Sequence, residues 1–418
     1  MNEKNSQEIT YRRLAFKFFD KGKSVAYILA RIPRSPAWLF KWKQRFAQDG
    51  WQALDSLPKT PLHSPQAHAR ETVALVLGLR KRLEKSAVGL SGPRAIQQEI
   101  LRRRLLKALP SLASIKRWLK DADLTGTATK SAPAAYYPVI QAPDEFVIYA
   151  CDWLARYLTG GEKVFIFHTL NWRTRALAQT IGADKTAASV SDHLLGAFST
   201  LGLPDFLHLD NDAAFTGLGR TRRVFGKIIR LALYLGIEVI FIPPGEPQRN
   251  HLVERVNGLW ADSFWNKDHF RSRPDLRRKS PKFFTWYDQY APPALDGLTV
   301  GQAARLQRRP KLLRRQIRQL PEVLPLTAGR LHFIRPVAAN GEINILKEPW
   351  KISRSLAGQY VWATLDLRTA ELLIYHRQSL RAQTRLIKQC SYEIGEPVCR
   401  LLPEFKRRPR VVDILQLI

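Results

Sequence analysis

The chain has 418 residues of which 45% are hydrophobic, enough apolar material for two to four domains with real cores and too much for a disordered chain. Its formal net charge of +31, from 67 Lys and Arg against 36 Asp and Glu, creates a long-range field that attracts polyanions and makes nucleic acid the expected partner. Three cysteines without metal-ligand spacing argue against a zinc site or a disulfide framework; with no run of about 18 apolar residues and no signal-peptide core, a non-membrane, cytoplasmic protein is expected.

Residues 1–56 read as three short helices. An apolar face built from Tyr11, Leu14, Ala15, Phe18 and Phe19 marks the first, over 9–21, and the second covers 24–32. Ser35 followed by Pro36 is an N-cap with proline at the first helical position, so the third helix starts at 37 and runs to 48. This basic, aromatic third helix, with Lys41, Lys43 and Arg45 as candidate DNA contacts, suggests a helix-turn-helix module. A plain three-helix bundle with Trp38 and Trp42 in its core is the alternative.

A proline-spaced linker over 57–65 precedes a second helical set at 66–124. Its helices are expected at 70–86, from Ser91-Gly92-Pro93 to 104, and at 115–120, where Lys116 and Arg117 are the candidate DNA contacts. Residues 125–143, rich in Thr, Ala and Pro, form a linker to a domain at 144–310. There strands are expected at 145–151, 163–169, 174–181, 206–209 and 237–241, with helices at 187–201 and 221–235, a mixed sheet with helices on its faces.

Two of the apolar runs end in acids, Asp152 and Asp210. A carboxylate inside a strand pattern costs several kcal/mol if dry and unpaired, so it normally has a metal, a cation or a hydrogen-bond network beside it. After the strand ending at Phe241, Pro243, Pro244, Gly245 and Pro247 make a turn, and a helix should begin near Asn250. Leu252, Val253, Val256, Leu259 and Trp260 form its apolar side, leaving Glu254 and Asn257 on a neighbouring face. Two strand-borne aspartates and a helix-borne glutamate suit hard divalent cations such as Mg²⁺, which keep room for water and phosphate oxygens.

Taken in order, Cys151-Asp152-Trp153, Asn171-Trp172-Arg173-Thr174-Arg175, Gly202-Leu203-Pro204, Asp210-Asn211 and the run from Pro244 through Pro247, Gln248, Asn250, Val253, Glu254 and Arg255 to Asn257 resemble the integrase catalytic core. That core is shared by retroviral integrases and bacterial insertion-sequence DDE transposases. The resemblance implies an RNase H-like fold, a triad of Asp152, Asp210 and Glu254 as catalytic and metal-binding residues, two Mg²⁺ or Mn²⁺ ions, and cleavage at transposon ends followed by strand transfer into target DNA. It also implies double-stranded DNA as partner, a homo-oligomer on that DNA, a possible accessory ATPase, and association with the bacterial nucleoid. Asn250, Asn257 and Arg255 become candidates for positioning phosphate. Two departures stand out: Asp212 occupies a position where the family usually has glycine, and an insertion around 217–223 lengthens the interval to Glu254, so that Glu246 fits the usual count better. Glu254 is preferred because it holds the helical Val-Glu-Arg position. Arg220, Arg222 and Arg223 in the insertion are candidate DNA contacts or a solvated loop.

Aromatic residues crowd 260–304 and read as helical packing on the core, while 308–318 is a basic helix or linker for a phosphate backbone. Beyond Leu326 the pattern alternates, and Asn340-Gly341 suits a hairpin turn, so 325–380 is expected to form a small β-barrel, with a basic tail over 381–418. The expected fold class is thus multidomain α/β, an RNase H-like core with two helix-turn-helix domains before it and a small β-barrel after it. The functional alternative is a non-catalytic, sequence-specific DNA-binding protein, a regulator or accessory subunit, with Asp212 as its best support.

Overall fold

The structure, a computed structural model, describes residues 3–55, 68–124, 136–141, 145–217, 223–307 and 309–400. The expected linkers at 57–65 and, for most of its length, 125–143 lie outside these residues, as do Arg220, Arg222 and the tail beyond 400. The chain divides into two compact units, Met1–Arg70 and Glu71–Ile418. Among the described residues no helix is long and apolar enough to cross a membrane.

The first unit contains α1 (Glu3–Asp20), α2 (Val25–Leu29) and α3 (Pro36–Asp49), closed by a 3-10 turn at Gly50–Leu54. Ser24 and Ser35 cap α2 and α3 by accepting hydrogen bonds from the Tyr27 and Trp38 amides, with Pro36 opening α3. Ala15, Phe16, Ile28, Ile32, Leu39, Trp42 and Leu54 make the core, with Trp38 packed partly against it. Arg12 lies 3.7 Å over the Trp42 ring and donates to Leu54 O. Lys41 and Lys43 are exposed and Arg45 half-buried on α3.

The second unit begins with α4 (Arg70–Glu84), α5 (Pro93–Arg103) and α6 (Leu112–Asp121), around Val76, Leu79, Ile96, Ile100, Ile115, Trp118 and Leu119. Ser111 caps α6, which starts three residues before the expected 115, and Lys116 and Arg117 are exposed on it. This module packs directly on the core. The Gly89 amide donates to Ser263 O at 2.9 Å, and Gln98 Nε2 to Ala291 O at 2.8 Å.

A nine-stranded sheet organises the rest. Its strands are β1 (Ile148–Tyr157), β2 (Lys163–Asn171), β3 (Leu177–Gly182), β4 (Phe206–Leu209), β5 (Glu238–Phe241) and β6 (Arg330–Pro336), then β9 (Tyr360–Asp366), β10 (Glu371–His376) and β11 (Arg385–Ser391). The spatial order is β11-β10-β9-β6-β5-β4-β1-β2-β3; β7 (Glu342–Ile345) and β8 (Glu348–Lys351) form a hairpin apart. β1, β2 and β3 are successive antiparallel neighbours, whereas β1, β4, β5 and β6 run parallel. Alternation along β1 sends Tyr149 and Cys151 to one face, with α7 (Ala187–Leu201) and α9 (Lys227–Tyr234), and Ala150 to the other, with α10 (His251–Ser263) and α11 (Arg273–Asp288). The crowded aromatics of 260–304 do pack here, with Trp260, Phe264, Phe283 and Tyr287 buried.

Several expectations need correction. β1 runs six residues past Cys151, so Asp152 sits inside the strand, opposite His168, rather than at its end. Thr174 and Arg175 do not begin the third strand: Asn171 Oδ1 accepts from the amides of Arg173 and Thr174, which makes a turn, and β3 starts at Leu177. The alternating strands beyond Leu326 extend the core sheet instead of making a separate small barrel. At the start of β5, half-buried Glu238 pairs with Arg330 Nε and His332 Nε2 of β6, each at 2.9 Å, and so ties β6 alongside. In the basic run over 308–318, Arg309 is committed to Asp205 and Leu203 O, and the helix (α13) is only Arg314–Arg318. Arg223 is likewise spent within the fold, on Glu348 and Glu393, not on a DNA-gripping loop.

A short helix, α8 (Ala213–Thr216), follows Asp210 and is pressed against the start of α9. Gly217 has φ +60°, and a Cβ on Gly226 would meet Thr216 O and lie 2.6 Å from Gly217 Cα. We predict that Gly226→Ala costs about 1–3 kcal/mol through this overpacking, read as a lowered urea midpoint. A second outcome concerns His193, fully buried between Thr169 Oγ1 and Thr180 Oγ1, its pKa pushed down to about 3 by burial and then by the nearby His168. The unfolded chain takes up this proton below about pH 6.5 and the folded one does not, so the group costs stability as pH falls from there towards 3. In His193→Gln the slope of stability against pH over that window should fall by up to about 1.4 kcal/mol per pH unit, as followed by urea titrations.

Candidate active site

The α10 face of the sheet is apolar at one end and polar at the other. Asp152 on β1, His168 on β2, and His208 on β4 all point there, and Asp210 directly follows β4. Asn257 Nδ2 donates to Asp152 Oδ2 at 2.8 Å, while its Oδ1 meets His168 Nδ1 at 2.6 Å. His168 Nε2 stands 2.9 Å from Gln179 Nε2, an amide that can only donate. The imidazole is therefore neutral with its proton on Nδ1, and the relay runs Gln179 to His168 to Asn257 to Asp152. Burial accounts for the neutral state, lowering the His168 pKa to about 4.

Asp152 is pushed up to about 7, first by burial; its Trp153 amide partner opposes this, and the charges of Asp210 and Glu254 reinforce it. Asp210 is also raised, mainly by burial, although the Asp212 amide donates to its Oδ1 at 3.0 Å. The charges of Asp210 and of Glu254 are thus each felt at Asp152. Among the described residues no group of three acidic, His or Cys side chains stands close enough to form a ready ligand cage. The two Asp152 oxygens accept from the Trp153 amide and Asn257 Nδ2, and each keeps a second lone pair. An all-oxygen set with two raised carboxylates fits a hard divalent ion, and Asp152, Asp210 and Glu254 are the residues that would hold it.

Asp212 is not a loose extra acid. It caps α8 through the Ala214 amide, and Lys185 Nζ pairs with it at 3.0 Å while lying 4.0 Å over the Trp153 ring. Glu246, the alternative by counting, is tied to Arg249 Nε at 2.9 Å and to the Tyr360 hydroxyl at 2.8 Å, with Arg249 stacked over Tyr137. Asn250 does not reach outward to position phosphate. It is buried, donating to Cys151 O and accepting from His208 Nδ1, and so pins the start of α10 to β1 and β4. Arg255 is exposed on α10.

Arg335 escaped the sequence reading. Buried on β6, it donates to Asn211 Oδ1 and Ile242 O, both at 2.8 Å, and to Asn344 O at 3.0 Å. Burial lowers its pKa to about 9. A cation directly after the run Leu331–Ile334, within a strand, is the same signal that marked Asp152, and it belonged to the region expected to be a separate barrel.

A family model described as integrase core domain matches residues 235–297, which span β5, the proline turn, α10 and α11. Among solved structures, the HTLV-2 integrase catalytic core domain in complex with magnesium, in trimeric form, is 18% identical, covering 38% of this chain and 95% of its own at a TM-score of 0.28. Its dimeric form gives the same values with 94% of its own chain covered. A simian T-cell lymphotropic virus intasome in complex with the PP2A regulatory subunit B56 gamma is 16% identical, covering 73% of this chain and 96% of its own at 0.32. The family match and the β3-β2-β1-β4-β5 order with its flanking helices make this region an integrase-like, RNase H-type core.

The two glutamates should separate in stability. Glu246→Gln removes the charge partner of the half-buried Arg249 and should lower stability by about 1–2 kcal/mol, whereas Glu254→Gln should leave the thermal midpoint unchanged or raised. Parallel melting curves check this.

Proposed function

We propose that this chain is a DNA transposase that cuts at the ends of its element and transfers the freed strand into target DNA, with Asp152, Asp210 and Glu254 as catalytic, metal-holding residues. The observation that carries the reading is the integrase-core match over residues 235–297 together with Asp152 set inside β1 and tied to Asn257 of α10 at 2.8 Å. Bound Mg²⁺ or Mn²⁺ ions would neutralise charge on the attacking and leaving oxygens of a phosphodiester. Asp152 on β1, Asp210 just after β4 and Glu254 on α10 would hold these ions. Asn257 and the neutral His168 behind it fix the Asp152 carboxylate, and the Asp212 amide fixes that of Asp210. Lys185 pairs with Asp212 and offsets its charge, which supports the catalytic reading over a purely DNA-binding protein.

The two three-helix modules read as helix-turn-helix domains for the element ends, with Lys41, Lys43 and Arg45 on α3 and Lys116 and Arg117 on α6 facing DNA. Their exposure supports the assignment for Lys41, Lys43, Lys116 and Arg117, while half-buried Arg45 lies 5.1 Å over Trp42 and is the weakest of the set. Assembly of several copies on paired ends follows from the same reading.

The test is nicking and joining on DNA carrying the native ends, in Mg²⁺ or Mn²⁺. Glu254→Gln should lose both products while Glu246→Gln keeps both at a temperature where it is folded. His168→Leu should fall about 10- to 100-fold with a raised metal requirement, and His168→Gln, which retains a donor for Asn257, should recover part of that loss. End binding by the wild type without product in either metal would instead make it a DNA-binding protein.

A further inference from the structure

Away from the acid cluster, a cleft of about 660 Å³ lies where the second helical module meets the core, within the size range of sites for nucleotide-sized ligands. Its walls are the end of α4, the turn after it, α5 and α11. The frame is firm: besides the Gly89 and Gln98 bonds, Lys267 Nζ donates to Leu83 O and Ser86 O at the end of α4. Gly89 has φ +113°, and a Cβ there would lie 2.9 Å from Trp286 Nε1, so the backbone runs flat against the indole.

Charge in this cleft is lopsided. Glu99, 8% exposed, holds three guanidiniums, Arg82 at 3.1 Å, Arg102 at 2.8 Å and Arg103 at 2.5 Å. One carboxylate offsets one of them, so two positive charges remain, held in place by the same ion pairs. Lys85 and Lys282 line the cleft as well, both exposed and neither with a carboxylate partner among the described residues. Trp286 and Tyr290, half-buried with centroids 5.4 Å apart and planes 28° from parallel, add aromatic surface. Fixed guanidiniums beside stacked aromatic rings suit phosphates linked to a base.

We propose that this cleft binds unpaired nucleotides of a DNA strand, with phosphates on the Arg82, Arg102 and Arg103 cluster and the two lysines, and a base against Trp286 and Tyr290. The proposal rests on the reading of the protein as one that acts on DNA, and it needs no catalysis. An intact duplex presents a base face only at its terminal pair, so the aromatic surface favours a single-stranded tail.

The experiment uses the full chain with Glu254→Gln, in chelator, so that chemistry does not enter. Anisotropy compares a blunt duplex, the same duplex with a short single-stranded tail containing 2-aminopurine, and a free mononucleotide as competitor. The tailed duplex should bind at least tenfold more tightly, with 2-aminopurine quenched. Lys85→Glu with Lys282→Glu, both on exposed positions, should erase that advantage, reduce the salt slope for the tailed DNA by about 1.4, and leave blunt-duplex binding within twofold. Trp286→Leu should remove the quenching, with a melting curve reporting its folding. The proposal is overturned by equal binding of both duplexes, by an equal loss on both in the lysine variant, or by displacement of the tail at mononucleotide concentrations matching the DNA. Absence of nicking by the wild type, in contrast, would sink the transposase reading and leave this binding result standing.

Discussion

A carboxylate held within β1, an interior strand flanked by β4 and β2, is the constraint on which the architecture turns. Asp152 occupies a position on β1 where an apolar residue would satisfy the α10 face, and its burial raises the cost of its charge. Polar groups then have to gather around it. Asn257, His168 and Gln179 form a continuous hydrogen-bond chain on one side, and His208 and Asn250 tie the neighbouring strand to the start of α10. The remaining lone pairs and the nearby charges of Asp210 and Glu254 are what a cation would satisfy under the proposed function.

The strands after residue 326 are part of that arrangement. Glu238, half-buried at the start of β5, is compensated by Arg330 and His332, which ties β6 to the core as a parallel neighbour. From the same strand Arg335 reaches Asn211 and Ile242, so the loop carrying Asp210 is braced by a residue over a hundred positions away in the chain. On the other side of that loop, the close approach of Gly217 and Gly226 seats α8 against α9, and Asp212 caps α8 with its charge met by Lys185. The unusual acid thus has a structural place beside the cluster.

The second helical module is joined to the core by hydrogen bonds to the ends of α4 and α5, which brings the arginines around Glu99 opposite α11. The aromatic residues of α11 divide by face: Phe283 and Tyr287 fill the core, while Trp286 and Tyr290 reach the cleft. The proposed binding of unpaired DNA there would connect end recognition to strand chemistry through one continuous body.

Local patterns settled much by themselves. The Ser35-Pro36 start, Pro93 and helical apolar spacing located α2, α3, α5 and α7, and the acids breaking apolar strands marked Asp152 and Asp210, because burial of a charge is legible wherever periodicity predicts a hydrophobe. Helical phase put Glu254 and Asn257 on one face and set both apart from the loop-bound Glu246. Tertiary structure alone decided what those side chains touch. Asn250 became a buried tie, Thr174 a turn residue, Arg223 and Arg309 ion-pair partners, and the expected barrel an extension of the sheet. Each depends on a partner distant in sequence, and a one-dimensional pattern records a residue's own propensity and burial without naming the group across the fold that will claim its hydrogen bonds.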